Sequence, residues 1–334
     1  TMQARRTELS VIYKGQEFSK DILKFLKSFS YKDCASGESD ELSLEFADKQ
    51  GLWLKEWYPK KGDTIEALIK IINWNGDETE EIFSCGIFTV DDIQFNGRPI
   101  SFTLKALSKP IAEAFSATEK TKTWKKASIK AIAEEMTQNA GIELYYEAKN
   151  VVIEEIEQSA KTDLSFLYDL CKDNGIAMKA YRQKIVLFDE IEYEAKPSIA
   201  TWKEQNFISW KGNSTIEGTY DGVILSYQSS QKKQPITYKF QPREGNRILK
   251  VNESVENMAE AEQKAKAKLR EANKTETTLS ITKKGDISIV AGSCIMITDL
   301  GHFDGKYYVD SVTHDIGSGF TTKCELHKVL EGGY

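Results

Sequence analysis

The sequence predicts an α+β fold that is mainly β: two related small β-domains, an α+β insert between them and a linking helix inside the second. Three observations predict it. Residues 305–326, GKYYVDSVTHDIGSGFTTKCEL, read as strands 306–315 and 320–326 around the turn Ile316-Gly317-Ser318-Gly319. Residues 86–107, GIFTVDDIQFNGRPISFTLKAL, align with them without a gap: Gly86/Gly305, Val90/Val309, Asp91/Asp310, Thr103/Thr322 and Leu107/Leu326 are identical, and Phe88/Tyr307 and Ile93/Val312 are similar. Between the copies the pattern changes to helix followed by strand, twice over. A repeated order of turn, strand and hairpin marks a duplicated unit.

The same turn precedes each hairpin, Lys60-Lys61-Gly62-Asp63 and Lys283-Lys284-Gly285-Asp286, and each runs into an apolar stretch read as a strand, the second through Ile287-Ser288-Ile289-Val290. In the first copy residues 7–13 form a strand and residues 22–30, with Ile22, Leu23, Phe25, Leu26 and Phe29, a second. Residues 36–40 are a turn, and 41–46 (ELSLEF) alternate as a half-buried strand does. Residues 67–74 are a strand, Asn75-Gly76-Asp77 a hairpin signal, and 80–83 the return.

In the insert, Ser128 is placed to cap a helix carrying Ile129, Ile132, Ala133 and Met136 on one face, ended by Gly141, with a strand over 142–146. Residues 151–158 read as a strand. Thr162 caps a helix over 163–174 with a stripe of Leu164, Leu167, Leu170 and Cys171; Gly175 ends it, and strands 176–181 and 184–188 pair. Beyond the insert, residues 218–227 and 235–240 form a hairpin with a polar tip at 229–234. Residues 253–273 form a helix with Met258, Ala261, Ala265, Leu269 and Ala272 on its buried face, its Glu, Lys and Gln face being either solvated or turned to a neighbouring subunit.

At 334 residues the chain is long enough for two or three domains. Charged residues at 29% and hydrophobic ones at 40% match a soluble globular protein. No apolar run approaches a membrane span and no signal-peptide pattern opens the sequence, so stable membrane insertion is not expected. Cys34, Cys85, Cys171, Cys294 and Cys324 are scattered, without a CxxC pair, which predicts reduced, mostly buried thiols made in a cytoplasm. A net charge of −6 provides no general attraction to nucleic acid.

Candidate chemistry is sparse. His302, His314 and His327 lie near Asp299, Asp304, Asp310 and Asp315, but their spacing fits no zinc pattern, and they read as strand and turn residues. No phosphate-binding glycine loop, HExxH or GxSxG occurs. Asp91-Asp92, Glu134-Glu135 and Glu154-Glu155 read as solvated acids. The expectation is therefore no catalytic residue, no metal ligand and no cofactor. Residues 120–130 (KTKTWKKASIK) set five lysines around Trp124; a contact with nucleic acid or an acidic partner, with stacking on the indole, is one reading, and a solvated loop leading into a helix, with Trp124 tucked onto the insert, is the favoured one. Gly62-Asp63-Thr64 resembles the opening of a LysM glycan-binding module, where a helix follows; here Leu68-Ile69-Lys70-Ile71-Ile72 favours a strand.

Three motifs carry a wider resemblance. Thr162-Asp163-Leu164-Ser165-Phe166-Leu167 with Leu170 and Gly175-Ile176, Glu260-Ala261 with Ala265, Ala267 and Leu269, and Gly305…Tyr308-Val309…Val312-Thr313-His314…Gly319-Phe320-Thr321-Thr322…Leu326 occur in that order. Together they resemble the late control gene D (XkdQ-like) family of phage tail proteins, which is similar to the N-terminal part of the VgrG spike proteins. The resemblance covers most of the chain from about residue 110, and the N-terminal part fits through the internal repeat.

What the resemblance implies is a non-enzymatic baseplate hub of a phage tail or phage-tail-like contractile injection particle (bacteriocins included), made in the bacterial host cytoplasm and placed in the virion tail baseplate. The domains expected are a first tube-like β-barrel over 1–108, an α+β insert over 109–196 and a second tube-like β-barrel over 197–334 that includes helix 253–273. Three subunits with two related modules each would adapt the six-fold tail tube to the three-fold spike as a homotrimer. Its partners would be the tail tube protein and the spike and baseplate proteins, with nucleic acid at most in passage through the lumen. The family's long C-terminal spike and attached hydrolase are not expected within these residues. The alternative readings are a peptidoglycan-binding, LysM-like protein or a cell-wall hydrolase of the tail tip.

Overall fold

The computed structural model describes every residue except 1–3, 19, 75, 109–111, 182–183, 228–234 and 333. The first group of elements is β1 (Arg6–Tyr13), β2 (Gln16–Glu17), α1 (Lys20–Leu23), β3 (Leu26–Cys34), β4 (Glu41–Ala47), β5 (Thr64–Ile72), β6 (Glu80–Asn96) and β7 (Ser101–Leu107). The middle group is α2 (Glu113–Ser116), β8 (Glu119–Ser128), α3 (Ile129–Asn139), β9 (Leu144–Glu147), β10 (Val152–Thr162), α4 (Asp163–Asp173), β11 (Ala177–Tyr181), β12 (Lys184–Phe188) and α5 (Glu190–Ala195). The last is β13 (Ala200–Lys203), β14 (Phe207–Ser214), β15 (Gly222–Tyr227), β16 (Ile236–Phe240), β17 (Ile248–Val251), α6 (Met258–Asn273), β18 (Thr277–Lys284), β19 (Cys294–Thr298), β20 (Gly305–Ile316) and β21 (Phe320–Lys328). With 49% of the described residues in strands and 18% in helices, the chain is a mainly β, α+β protein.

The strands follow the two-residue side-chain period. Leu42, Leu44 and Phe46 of β4, Ile65, Ala67, Ile69 and Ile71 of β5, and Phe102, Leu104 and Ala106 of β7 all face one core. A second core fills the middle group with Ile132, Met136, Phe166, Leu167, Leu170, Ile185 and Leu187. A third gathers Trp202, Leu279, Ile281, Ile295, Ile297, Val309, Val312 and Leu326.

The strand order repeats. Six strands of the first group pair in the order β1-β5-β6-β7-β4-β3, and six of the last pair as β13-β19-β20-β21-β18-β14. Within each set, ranked by position in the chain, both orders run first, fourth, fifth, sixth, third, second. The sets differ in that β1 is antiparallel to β5 whereas β13 is parallel to β19. The second set is also interrupted after β14 by β15–β17 and α6, which share a small core of Val223, Leu225, Ala261, Ala265 and Leu269. Bulges recur at matching places: the ladder shifts at Asp91 between Val90 and Asp92, and at Asp310 between Val309 and Ser311. The sheet runs open from β14 to β2 through both sets; hydrogen-bonded closure into two barrels does not occur among the described strands.

Several sequence expectations need correction. The gap-free alignment holds along β6 and β20 but slips in the partner strands. Asn96 pairs with Ser101 around a loop of residues 97–100, whereas Ile316 pairs with Phe320 around residues 317–319, one residue shorter. Leu104 therefore matches Cys324, opposite Ile93 and Val312 respectively. Thr103 and Thr322 are not equivalent: Thr322 is buried and Thr103 half-buried, because a one-residue slip exchanges the faces of a strand. The same slip separates Leu107 from Leu326.

The repeated Lys-Lys-Gly-Asp is also not the equivalent turn. Gly62 N–H donates to Val90 O at 2.8 Å, and Val90 N–H to Asp63 O at 2.9 Å. The same two bonds are made at Gly292 with Val309 (2.8 Å) and at Val309 with Ser293 (2.9 Å), so residues 290–293 are the counterpart. Gly62 and Gly292 have φ of +88° and +85°, the left-handed region that glycine enters without a Cβ penalty. Residues 287–290 are accordingly a turn and loop rather than a strand: Asp286 Oδ1 accepts from the Ser288 N–H (3.1 Å) and hydroxyl (2.5 Å), which curls the chain.

Residues 22–30 divide between α1 and β3, with Lys24 N–H bonded to Lys20 O and Phe25 N–H to Ile22 O. Residues 253–257 are not helical: Asn257 caps α6 by accepting from Glu260 N–H at 2.9 Å, which leaves Met258 53% exposed. The hairpin of β15 and β16 is antiparallel as expected, and its tip lies outside the described residues, as does Asn75. The capped helices of the middle group match the sequence reading, Ser128 and Thr162 accepting from Ala131 and Ser165 N–H.

Candidate assembly interface

The two strand sets meet where β3 lies antiparallel to the distal half of β20, from Ser311 opposite Cys34 to Ile316 opposite Phe29. Alternation turns Phe29 and Tyr31 inward, and Ile287, Ile316 and Phe320 of the second set pack into the first core beside them. His314 stacks on Tyr31 and meets Phe83 edge-on, 5.5 Å between centroids. Trp74 Nε1 donates to Gly285 O at 2.7 Å with its ring against Phe320. A Cβ at Gly285 would lie 2.1 Å from the Phe320 ring, so the close approach requires glycine.

His314 Nδ1 is hydrogen-bonded to Thr322 Oγ1 (3.0 Å), while its Nε2 is buried without a partner. Burial disfavours the cation and lowers the imidazole pKa to about 4, so the ring in this junction is neutral.

A buried ionic cluster joins the middle group to the last. The Arg270 guanidinium of α6 reaches Glu194 and, at 3.2 Å, Glu190, both on α5. Lys274 adds a contact to Glu190 at 2.6 Å. His327 of β21 bonds Glu194 through Nε2 (2.8 Å) and Asp310 through Nδ1 (2.7 Å). Burial alone would pull the His327 pKa down; the hydrogen bonds to Asp310 and Glu194 outweigh it and raise the value to about 9. Glu190 and Glu194 sit below the ordinary carboxylate range despite burial, because Lys274 and Arg270, and His327 and Arg270, offset it. A second cluster ties the middle group to both sets: Lys179 of β11 pairs with Asp33 and, at 3.4 Å, with Asp40, and Asp33 Oδ2 accepts from Ala291 N–H at 2.8 Å. Burial raises the Asp40 pKa to about 7.

The three histidines thus serve three different places: His302 is exposed in a 3-10 turn, His314 lies in the strand-set junction and His327 in the ionic cluster. Among the described residues no group of three or more His, Cys, Asp and Glu is arranged to hold a metal ion. The lysine-rich stretch is the strand β8 rather than a loop, a correction that follows from its antiparallel pairing with β10. Lys120, Lys122, Lys125 and Lys130 are ion-paired with Asp163, Glu135, Glu155 and Glu134, and Trp124 is buried in the middle core. The Gly62-Asp63-Thr64 turn opens directly into β5, without the helix a LysM module requires. The polar face of α6 packs within the chain: Gln263 Nε2 donates to Asn174 O (2.9 Å) and Lys268 pairs with Asp173 (2.8 Å).

Among the strand edges without a strand partner in the described residues are the outer edge of β14 and the edge of β6 over residues 92–96, beyond the point where β5 leaves it. Neither edge is legible in the sequence, whose patterns report faces and not edges.

Comparison with known proteins follows the same lines. The chain is 22% identical over 240 residues to the probable baseplate hub protein of Escherichia phage 186, an alignment that takes in 69% of this chain and 59% of that protein, less than two thirds of its length. Its fold is similar to the 43 kDa tail protein of prophage MuSo2 from Shewanella oneidensis (TM-score 0.74, 12% identity, 97% of this chain and 98% of that one). It is also similar to a tail protein from Neisseria meningitidis MC58 (TM-score 0.70, 14% identity, 96% of each chain). A component of the type VI secretion system, the E. coli c3393 protein, shares the fold more distantly (TM-score 0.57, 10% identity, 98% of this chain and 77% of that one). No described helix is long and apolar enough to cross a membrane. The model of YQBQ-like proteins matches residues 119–326, more than half of the sequence, and the chain belongs to the YQBQ-like family.

Proposed function

We propose that the protein is a structural, non-enzymatic baseplate hub of a phage tail or tail-like contractile injection particle. In this reading it forms a homotrimer that adapts a six-fold tail tube to a three-fold spike. The observation that carries the proposal is the shared strand order of the two sets: three copies with two equivalent modules each present six. Similarity to the probable baseplate hub protein of Escherichia phage 186 supports it. The sets at 1–108 and 197–334 would be tube-like barrel domains whose open sheets are completed by neighbours, and 109–196 an insert domain facing the spike or other baseplate proteins. The hydrophobic cores confined to the insert and to the second set favour this division.

Absolute mass by light scattering across a concentration range tests the proposal. Three times the 37.8 kDa chain mass is the expected result. A stable dimer at every concentration would overturn it. For a monomer, co-expression with tube and spike proteins decides, and failure to join them as three copies would overturn it as well.

A further inference from the structure

We infer that copies of this chain join head to tail by strand addition, with β14 of one copy lying antiparallel on the free edge of β6 in the next. The register is Ile93 with Ser214, Gln94 with Asn213, Phe95 with Gly212 and Asn96 with Lys211. The inference deepens the hub reading by naming the ring contact, and rests on that reading only for the number of copies.

The chain contains its own template. Along one edge of β20, residues 305–308 pair with β19 and residues 311–316 with β3. The matching edge of β6 pairs with β5 up to Thr89 and is bare over residues 92–96, the counterparts of 311–315. The strand equivalent to β3 is β14, whose outer edge is bare as well. Tyr31 and Gly212 are equivalent because each faces matching residues across the neighbouring strand, Leu42 and Leu279; Phe29 and Trp210 likewise face Leu44 and Ile281. Both strands bulge at the same equivalent residue, Lys27 in β3 and Ile208 in β14. Transferring the β20–β3 register, in which His314 faces Tyr31, onto β6 and β14 puts Phe95 opposite Gly212.

Side chains fit the transfer. At the internal junction Phe29 and Tyr31 are buried. On β14 and just beyond it, Ile208, Trp210 and Ile216 are 64%, 40% and 73% exposed. Beside the β6 edge, Tyr58 stacks on Phe95 and is 53% exposed, with Trp57 at 39%. Apolar exposure of this kind, flanking two unpaired strand edges, marks surfaces that are covered in the assembled state. Gly212 lacks the ring that Tyr31 supplies, but Phe303 occupies that place, within 2.7 Å of where a Cβ would stand. Each copy offers one edge of each kind, so the contact is heterologous and propagates around a ring.

The test uses the full chain with cysteine pairs at exposed positions, the five native cysteines being buried. Gln94→Cys with Asn213→Cys sets the two thiols directly opposite across the proposed contact. Gln94→Cys with Ser209→Cys displaces one of them four residues along β14, about 14 Å. Both variants are treated with a short thiol-bridging reagent and resolved under denaturing conditions. The in-register pair is expected to give covalent dimers and trimers at least ~10-fold faster, because directly opposed residues of an antiparallel pair lie only about 5 Å apart. Equal rates, or no bridging of the in-register pair, overturn the strand addition. Light scattering on the same samples separates this failure from that of the hub: a trimeric mass without in-register bridging removes the pairing and leaves the hub, whereas in-register ladders that grow past three copies keep the pairing and remove the three-fold hub.

Discussion

His314 lies face to face with Tyr31, ring centroids 6.1 Å apart and planes 18° apart, and this stack joins the second strand set to the first. The ring is neutral there, with a folded-state pKa of about 4 against 6.5 for an unperturbed imidazole. A group whose pKa is lowered by folding contributes its full stability above the unfolded value and loses it as pH falls through the window from 6.5 to 4. Chemical denaturation at pH 7 and at pH 4.5 is expected to show a loss of at most about 3 kcal/mol from this group. His314→Phe, the residue type found at the equivalent Phe95, removes that part of the acid dependence.

His327 carries the opposite sign. Its pKa is raised to about 9 by Asp310 and Glu194, so its contribution is complete below 6.5 and is lost as pH rises through 9. His327→Gln is expected to lower stability at pH 6.5 while flattening the profile between pH 6.5 and 9, as read by denaturant midpoints.

Arg270 holds two buried carboxylates. Arg270→Met leaves Glu190 and Glu194 with Lys274 and His327 alone, and removing one partner from such a cluster costs about 3–5 kcal/mol. Thermal unfolding monitors the loss. The double substitution Glu194→Gln with Arg270→Met should recover part of it, since the unpaired charge is then gone.

Gly62 and Gly292 occupy equivalent turns with the same left-handed φ and no side chain within 3.4 Å of an added Cβ. Gly62→Ala and Gly292→Ala should therefore cost the same, about 1–2 kcal/mol each from backbone strain alone. Gly285→Ala should cost more, because its Cβ meets the Phe320 ring and opens the junction that Trp74 closes. Unequal losses at Gly62 and Gly292 would contradict the assignment of equivalent turns, and a loss at Gly285 no larger than theirs would contradict the tight Phe320 contact.

Thr162 accepts from Ser165 N–H at 3.2 Å at the start of α4. Thr162→Ala is expected to cost about 1 kcal/mol, and Thr162→Ser to restore most of it. Hydrogen exchange confined to α4 and β11 would show whether the loss is local.

Local signals reached a long way into this protein. The alternation of β4, β5 and β7, the caps Ser128 and Thr162, the glycines at 141 and 175, and the hairpin of β20 and β21 are all readable, because each depends on residues within one turn or one strand. The duplication was legible along β6 and β20, where Gly86/Gly305 and Val90/Val309 hold equivalent places on either side of the repeated structure. β8 is not readable from its own residues, because its exposed lysines mask a strand whose reason for existing is β10; α5 is short, and its buried Glu190 and Glu194 are tolerated only through partners more than seventy residues away.

By itself, the sequence determined which stretches alternate, which turn and which cap, and with them the mainly β, α+β character and the repeat. Tertiary structure alone decided that residues 290–293 and not 283–286 match the first turn, and that Thr103 and Thr322 face different ways. It also decided that β3 lies on β20 while the equivalent edges of β14 and β6 stay bare. Periodicity records which face of a strand is buried, but the strand's partner and register are set by non-local hydrogen bonds that leave no mark on its own pattern.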